Sequence, residues 1–133
     1  MDALLVSYDG ESLGVMQASE GAGIKAGAIP VTGQDMELSA AQAIAEGRMD
    51  GSVWPAPDEM GVAGAKAAVA AANCQALDTK DVISNGVKDM AWIKTPIYYV
   101  SQADLGQFVC THDYWLAADD VYKNVQDRNP KCK

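Results

Sequence analysis

Three short apolar runs in this chain end on side chains that could hold a small polar molecule: Tyr8-Asp9, Gln34-Asp35 and Trp54-Pro55. An ionised carboxylate accepts hydrogen bonds from two hydroxyls at once, and an aromatic ring offers a flat apolar face. Two acids and an aromatic gathered at one place suit a polyol with apolar ring faces, such as a sugar. The same residues have plainer uses. An Asp that follows a strand commonly caps the next helix, and Trp54 serves equally well as core.

Other reactive types are sparse. The sequence has three cysteines, Cys74, Cys110 and Cys132, and one histidine, His112. That set cannot make a zinc site of four cysteines, or of two cysteines and two histidines, at the usual spacings. Cys110 and His112 stand two residues apart, the types of a nucleophile and its base, but such a pair says little without a third orienting group. Cys110 and Cys132 could instead be joined by a disulfide closing the C-terminal segment, which leaves Cys74 odd and leans toward an oxidising compartment. No cofactor fingerprint is present. Gly21, Gly23 and Gly27 follow a helical stretch rather than a strand, and Gly61 to Lys66 has the wrong spacing for a phosphate loop.

The elements that would position these residues alternate. Ala3–Val6 reads as a buried strand, Glu11–Glu20 as a helix stopped by Gly21 and Gly23, and Ala28–Thr32 as a second strand. Met36–Gly47 is a strongly amphipathic helix, Gly51–Trp54 a third strand, and Pro55 and Pro57 break it. Asp58–Ala72 is an alanine-rich helix with acids in its first turn, Thr95–Val100 a further strand, and Asp113–Asp127 a last helix. Strands alternating with helices of this length predict an α/β fold with a parallel sheet and flanking helices. In such sheets ligands bind outside the carboxyl ends of the strands, where Tyr8, Asp9, Gln34, Asp35 and Trp54 fall.

Composition narrows the partners. At 133 residues the chain is one ordinary domain at most. The net charge of −8 argues against nucleic acid or an anionic membrane surface, since both need a basic face. No apolar run approaches the ~20 residues of a membrane span. The opening Met1-Asp2-Ala3-Leu4-Leu5-Val6 has neither a basic start nor a cleavage site, so it reads as a strand rather than a leader.

Three blocks carry a resemblance. DALLVSYDGESLGVMQA, then IPVTGQDMELSAAQAIAEGRMDGSVWPAP, then DEMGVAGAKAAVAA resemble, in order and spacing, the C-terminal half of type I periplasmic sugar-binding proteins. These are the ribose, galactose and xylose group of ABC-transporter substrate-binding components. TPIYYVSQADLGQF is similar to the family's closing strand and turn. The likeness covers about residues 2–108, and 109–133 stand as an added tail.

The resemblance implies an incomplete two-lobe architecture. Residues 1–57 would belong to the C-terminal lobe, 58–96 would return to the N-terminal lobe, and 97–133 would form the hinge return and tail. It implies no catalysis and no cofactor. It implies a sugar-like ligand held between lobes, a permease and an ATPase as partners, and a periplasmic or extracytoplasmic location. The missing half of the protein, or a second chain, would complete the sheet. Asp35 falls on the family's sugar-binding aspartate, and Gly33-Gln34-Asp35 is closest to the xylose-type form. Tyr8 stands where the family has a ligand-binding Asn, Asp9 where it has the following Asp, and Pro55, behind Trp54, where it has a polar contact. The effector domain of a lactose-repressor-like regulator shares this fold, and a receiver-like or other small α/β domain is a further reading.

Overall fold

The computed structural model describes residues 2–132. The chain divides into two compact units, residues 1–54 with 98–133, and residues 55–97.

The first unit is built on a four-stranded sheet. Its strands are β1 (Leu4–Leu5), β2 (Val31–Gln34), β3 (Gly51–Trp54) and β6 (Tyr98–Ser101), in the order β1-β2-β3-β6. The first three are parallel, with Leu4 opposite Val31 and Gly33 opposite Ser52. The fourth is antiparallel, with Trp54 opposite Tyr98. The sheet is thus mostly parallel with flanking helices, as expected, and carries one antiparallel edge strand. The chain leaves β3 at Trp54 and re-enters beside the same residue, so the returning strand has to run the other way.

Helix α1 (Asp9–Gly21) follows β1 and helix α2 (Leu38–Glu46) follows β2. Five residues of α2 are buried, Ala40, Ala41, Ala43, Ile44 and Ala45, and it packs against α1 and two later helices. Alanine on that face lets neighbouring backbones approach closely. Gly47, with φ 77°, closes α2 in the left-handed conformation that costs glycine nothing.

The C-terminal segment departs from expectation. The long helix predicted over Asp113–Asp127 is instead a four-residue α5 (Ala118–Val121) and a 3₁₀ turn at Gln126–Arg128. The regular helix lies earlier, as α4 (Gln102–Thr111). It starts at a capping box: the Ser101 hydroxyl donates to the Asp104 carboxylate at 2.6 Å, and the two ends satisfy each other's backbone. Leu105, Phe108 and Val109 then face inward at helical spacing. Val121, at the end of the short α5, and Leu116 and Tyr122 on either side of that helix are also buried. Cys110 and Cys132 are disulfide-bonded, with Cα atoms 5.1 Å apart, and close this segment. Cys74 is free and exposed.

The second unit holds α3 (Pro57–Ala72) and a hairpin of β4 (Val82–Ser84) and β5 (Asp89–Ala91). The hairpin loop is Asn85–Lys88: Gly86 has φ 83°, and the Asn85 side chain accepts from the amides of Val87 and Lys88, both at 3.0 Å. No residue of α3 is buried, and Val62, Val69, Val82, Ile83 and Trp92 are exposed. A groove of about 640 Å³ in this unit is lined by alanines of α3, Val62, Leu77 and Ile93 together with charged and polar residues, among them Asp58, Glu59, Lys66 and Lys94. Among the described residues no helix is long and apolar enough to cross a membrane.

Candidate functional site

The carboxyl edge of the parallel strands carries one tightly tied turn. The chain leaves β2 at Gln34 and reaches α2 through Asp35, Met36 and Glu37. Asp35 has φ 94° and Met36 has φ 53°, two successive non-glycine residues in left-handed backbone. Each such residue costs about 1–3 kcal/mol and persists only where the surroundings over-determine it.

They do so here. The Asp35 amide donates to the Val53 carbonyl at 2.8 Å, continuing the β2–β3 ladder one step. The Met36 amide donates to the Ser52 hydroxyl at 3.2 Å, and the Met36 side chain is wholly buried. The Glu37 amide donates to an Asp9 carboxylate oxygen at 2.7 Å. The other Asp9 oxygen accepts from the Ser52 hydroxyl, also at 2.7 Å. The Met36 carbonyl accepts from the indole N–H of Trp115 at 3.0 Å. The turn is therefore held by β3, by the start of α1 and by the C-terminal segment.

Asp9 is fully buried. Its carboxylate does not cap its own helix: α1 starts at Tyr8 without a side-chain cap, and Asp9 instead serves the entry to α2. Burial pushes its carboxyl above the ordinary carboxylate range, and the hydrogen bonds from Glu37 and Ser52 pull the other way. Gly33 leaves the space this carboxylate occupies. A Cβ there would strike Asp9 Oδ1 and would lie 2.7 Å from Met49 Cε and 2.9 Å from Ser12 Oγ.

The surface of the site is acidic and aromatic. Tyr8 is 41% exposed, and its hydroxyl donates to Glu37 at 2.7 Å. That bond to a carboxylate, and then its negative charge, raise the Tyr8 phenol above its usual value. Asp35 is half-buried and accepts from the exposed Gln34 amide at 3.3 Å. None of the segments 7–9, 34–38, 54–57 and 111–118 contains lysine or arginine.

Tyr8, Gln34 and Asp35 thus stand together at the surface. Trp54 does not: it is fully buried, with the rings of His112, Phe108 and Tyr98 at centroid distances of 4.4, 5.1 and 5.7 Å. Its indole N–H has no hydrogen-bond partner among the described residues. Cys110 is in the disulfide, so it offers no thiol beside His112. Among the described residues no group of three or more acids, histidines and cysteines could hold a metal ion. Three members of the edge, Glu37, Ser52 and Trp115, were not legible in the sequence. Glu37 belongs to a helix start, Ser52 is an ordinary strand residue, and Trp115 comes from 79 residues further on than Met36.

Residues 1–76, which include this whole turn and strands β1 to β3, match the family described as periplasmic binding protein domain. The chain belongs to that family.

Among solved structures the chain is similar to a carbohydrate transporter solute binding protein from Chloroflexus aurantiacus in complex with D-glucose. The two are 27% identical with a TM-score of 0.76, over 86% of this chain and 34% of that one. A protein from Mycobacterium smegmatis shares the fold at 24% identity and a TM-score of 0.58, over 89% of this chain and 36% of that one. The chain thus spans about a third of the length of these structures. No curated protein matches it.

Proposed function

We propose that this chain is part of the solute-binding component of an ABC-type uptake system for a sugar or sugar-like molecule. The ligand is gripped by Asp35, with Tyr8 and Gln34 beside it, in the cleft between the two lobes of the whole protein. Asp9 and Trp54 belong to the same edge from beneath, Asp9 through the turn and Trp54 through the aromatic cluster behind it. In this reading residues 1–57 are part of the C-terminal lobe of a ribose-, galactose- or xylose-type protein. Residues 58–96 return to the N-terminal lobe, and 97–133 form the hinge return and tail. The protein works outside the cytoplasm with a permease and an ATPase.

The observation that carries the reading is the immobilised Asp35. Asp35 is half-exposed at the carboxyl edge of the parallel strands, on strained backbone whose amides are tied by neighbouring elements. Preorganised acceptors of this kind bind hydroxyls without the entropic cost of ordering a loop. A glucose-bound neighbour at 27% identity supports the ligand class.

The test is calorimetry and thermal shift on the full-length protein with D-glucose, D-xylose, D-galactose and D-ribose. A sugar present at a hundred times its Kd stabilises by about 2.7 kcal/mol. Asp35→Ala is expected to abolish that stabilisation. Binding by Asp35→Ala equal to wild type, or wild type that binds none of the four, refutes the reading.

A further inference from the structure

The Met36–Glu37 peptide group is gripped at both ends. Its carbonyl accepts from Trp115 Nε1 at 3.0 Å, and its amide donates to Asp9 at 2.7 Å. Met36 sits in left-handed backbone at φ 53°, a conformation this residue leaves readily unless held. Rotation of that peptide would swing Asp35 on one side and Glu37 on the other. Asp9 prevents it from below. Trp115 prevents it from the C-terminal segment, which the Cys110–Cys132 bond closes into a loop.

Trp115 is not spent on the clamp. Its ring lies 6.4 Å from that of Trp54, yet the residue is 40% exposed. Its indole nitrogen is bonded one residue away from Asp35. Tyr8, similarly exposed, is bonded one residue beyond Met36, at Glu37. Two half-exposed aromatic side chains are therefore tied to neighbouring residues, Met36 and Glu37, of one acidic turn.

We propose that Trp115 is a further residue of this binding edge: its N–H positions the Asp35 turn, and its exposed ring stacks on the C–H face of a pyranose held by Asp35. The inference rests on the sugar-binding reading and adds a ligand class to it. Aldopyranoses with mainly equatorial hydroxyls, such as D-glucose and D-xylose, present an unbroken C–H face to an indole. A furanose such as ribofuranose does not.

The experiment pairs two variants of the full-length protein with two readouts. Trp115→Phe keeps an aromatic ring and removes the N–H, and Trp115→Leu removes both. Trp92→Phe, in the other unit, is the control. Hydrogen exchange of the Glu37 amide reads the clamp without any ligand. It is expected to quicken about 3- to 10-fold in both Trp115 variants, the effect of one lost hydrogen bond, and to stay unchanged in the control. Calorimetry with D-glucose and D-xylose reads the platform. Affinity is expected to fall about 3- to 10-fold in Trp115→Phe and further in Trp115→Leu, by the additional share of a stacked ring.

Unchanged Glu37 exchange in Trp115→Phe overturns the positioning role. Equal sugar affinity in Trp115→Phe and Trp115→Leu, or preferred binding of D-ribose by wild type, overturns the platform. Should wild type bind no sugar at all, the functional reading and the platform fall together, while the Glu37 amide still decides the clamp. Sugar binding lost in Asp35→Ala but intact in both Trp115 variants refutes this inference alone.

Discussion

Replacing Asp9 by alanine is the sharpest probe of the turn. The substitution leaves the buried Ser52 hydroxyl and the Glu37 amide without their acceptor. An orphaned buried donor costs about 1–3 kcal/mol, with Ser52 toward the upper end and the half-exposed Glu37 amide toward the lower. Removing a charge that burial disfavours offsets part of this, so a net loss of about 2–4 kcal/mol is expected. For a chain of this size that lowers Tm by roughly 10 °C.

Asp9→Asn separates the charge from the hydrogen bonds. The amide can still accept from Glu37 and meet Ser52, so the loss at neutral pH is expected near 1 kcal/mol, about one net hydrogen bond. The pH dependence carries a definite sign. The folded state raises the Asp9 carboxyl above its unfolded value, so it binds this proton more tightly than the unfolded chain does. The stability contributed by the group is full below about pH 3.9 and is lost as pH rises through the raised folded value. Wild type should therefore gain on Asp9→Asn as pH falls from 7 toward 4.5. Circular-dichroism melts of the three proteins at both pH values measure this. A Tm for Asp9→Ala within about 2 °C of wild type at pH 7 refutes the reasoning, because one unpaired buried donor alone exceeds that shift.

Gly33→Ala should destabilise by about 2–3 kcal/mol through overpacking against Asp9, Ser12 and Met49, seen as a lower urea midpoint at constant slope. Alanine tolerated there without loss would mean that the carboxylate has room to move. Serine at both Cys110 and Cys132, which lie 22 residues apart, should cost about 3 kcal/mol by releasing the loop in the unfolded chain. The same change should quicken Glu37 amide exchange, since the loop carries Trp115. A protected Glu37 in the double variant would detach the clamp from the disulfide.

Much of the fold could be read from local pattern. The run Gly51–Trp54, closed by Pro55 and Pro57, is a strand with the bounds expected of it, and α2 follows from its alanine and leucine spacing and from Gly47. The last third misled for a physical reason. Trp115, Leu116, Val121 and Tyr122 fall near helical spacing, but burial of that stretch rests on packing against α2 and on closure by the disulfide, which need no regular backbone. The true helix there announced itself in Ser101 and Asp104, a capping box. The hairpin announced itself in Asn85-Gly86, whose turn chemistry is equally local.

At the edge itself the division is sharper. Amino-acid type and order place Tyr8, Asp9, Gln34 and Asp35 at strand ends, because strands alternating with helices of this length define a parallel sheet with one carboxyl edge. Which acid faces solvent lies outside that pattern. Asp9 and Asp35 occupy equivalent sequence positions, each just after a strand, yet one is sealed and the other half-exposed. The difference comes from Gly33 and Ser52 on the neighbouring strands, which make a polar cavity for Asp9, and from Trp115, which reaches the turn from 79 residues away. Distant groups meet only when the chain has packed, so packing selects which carboxylate faces outward.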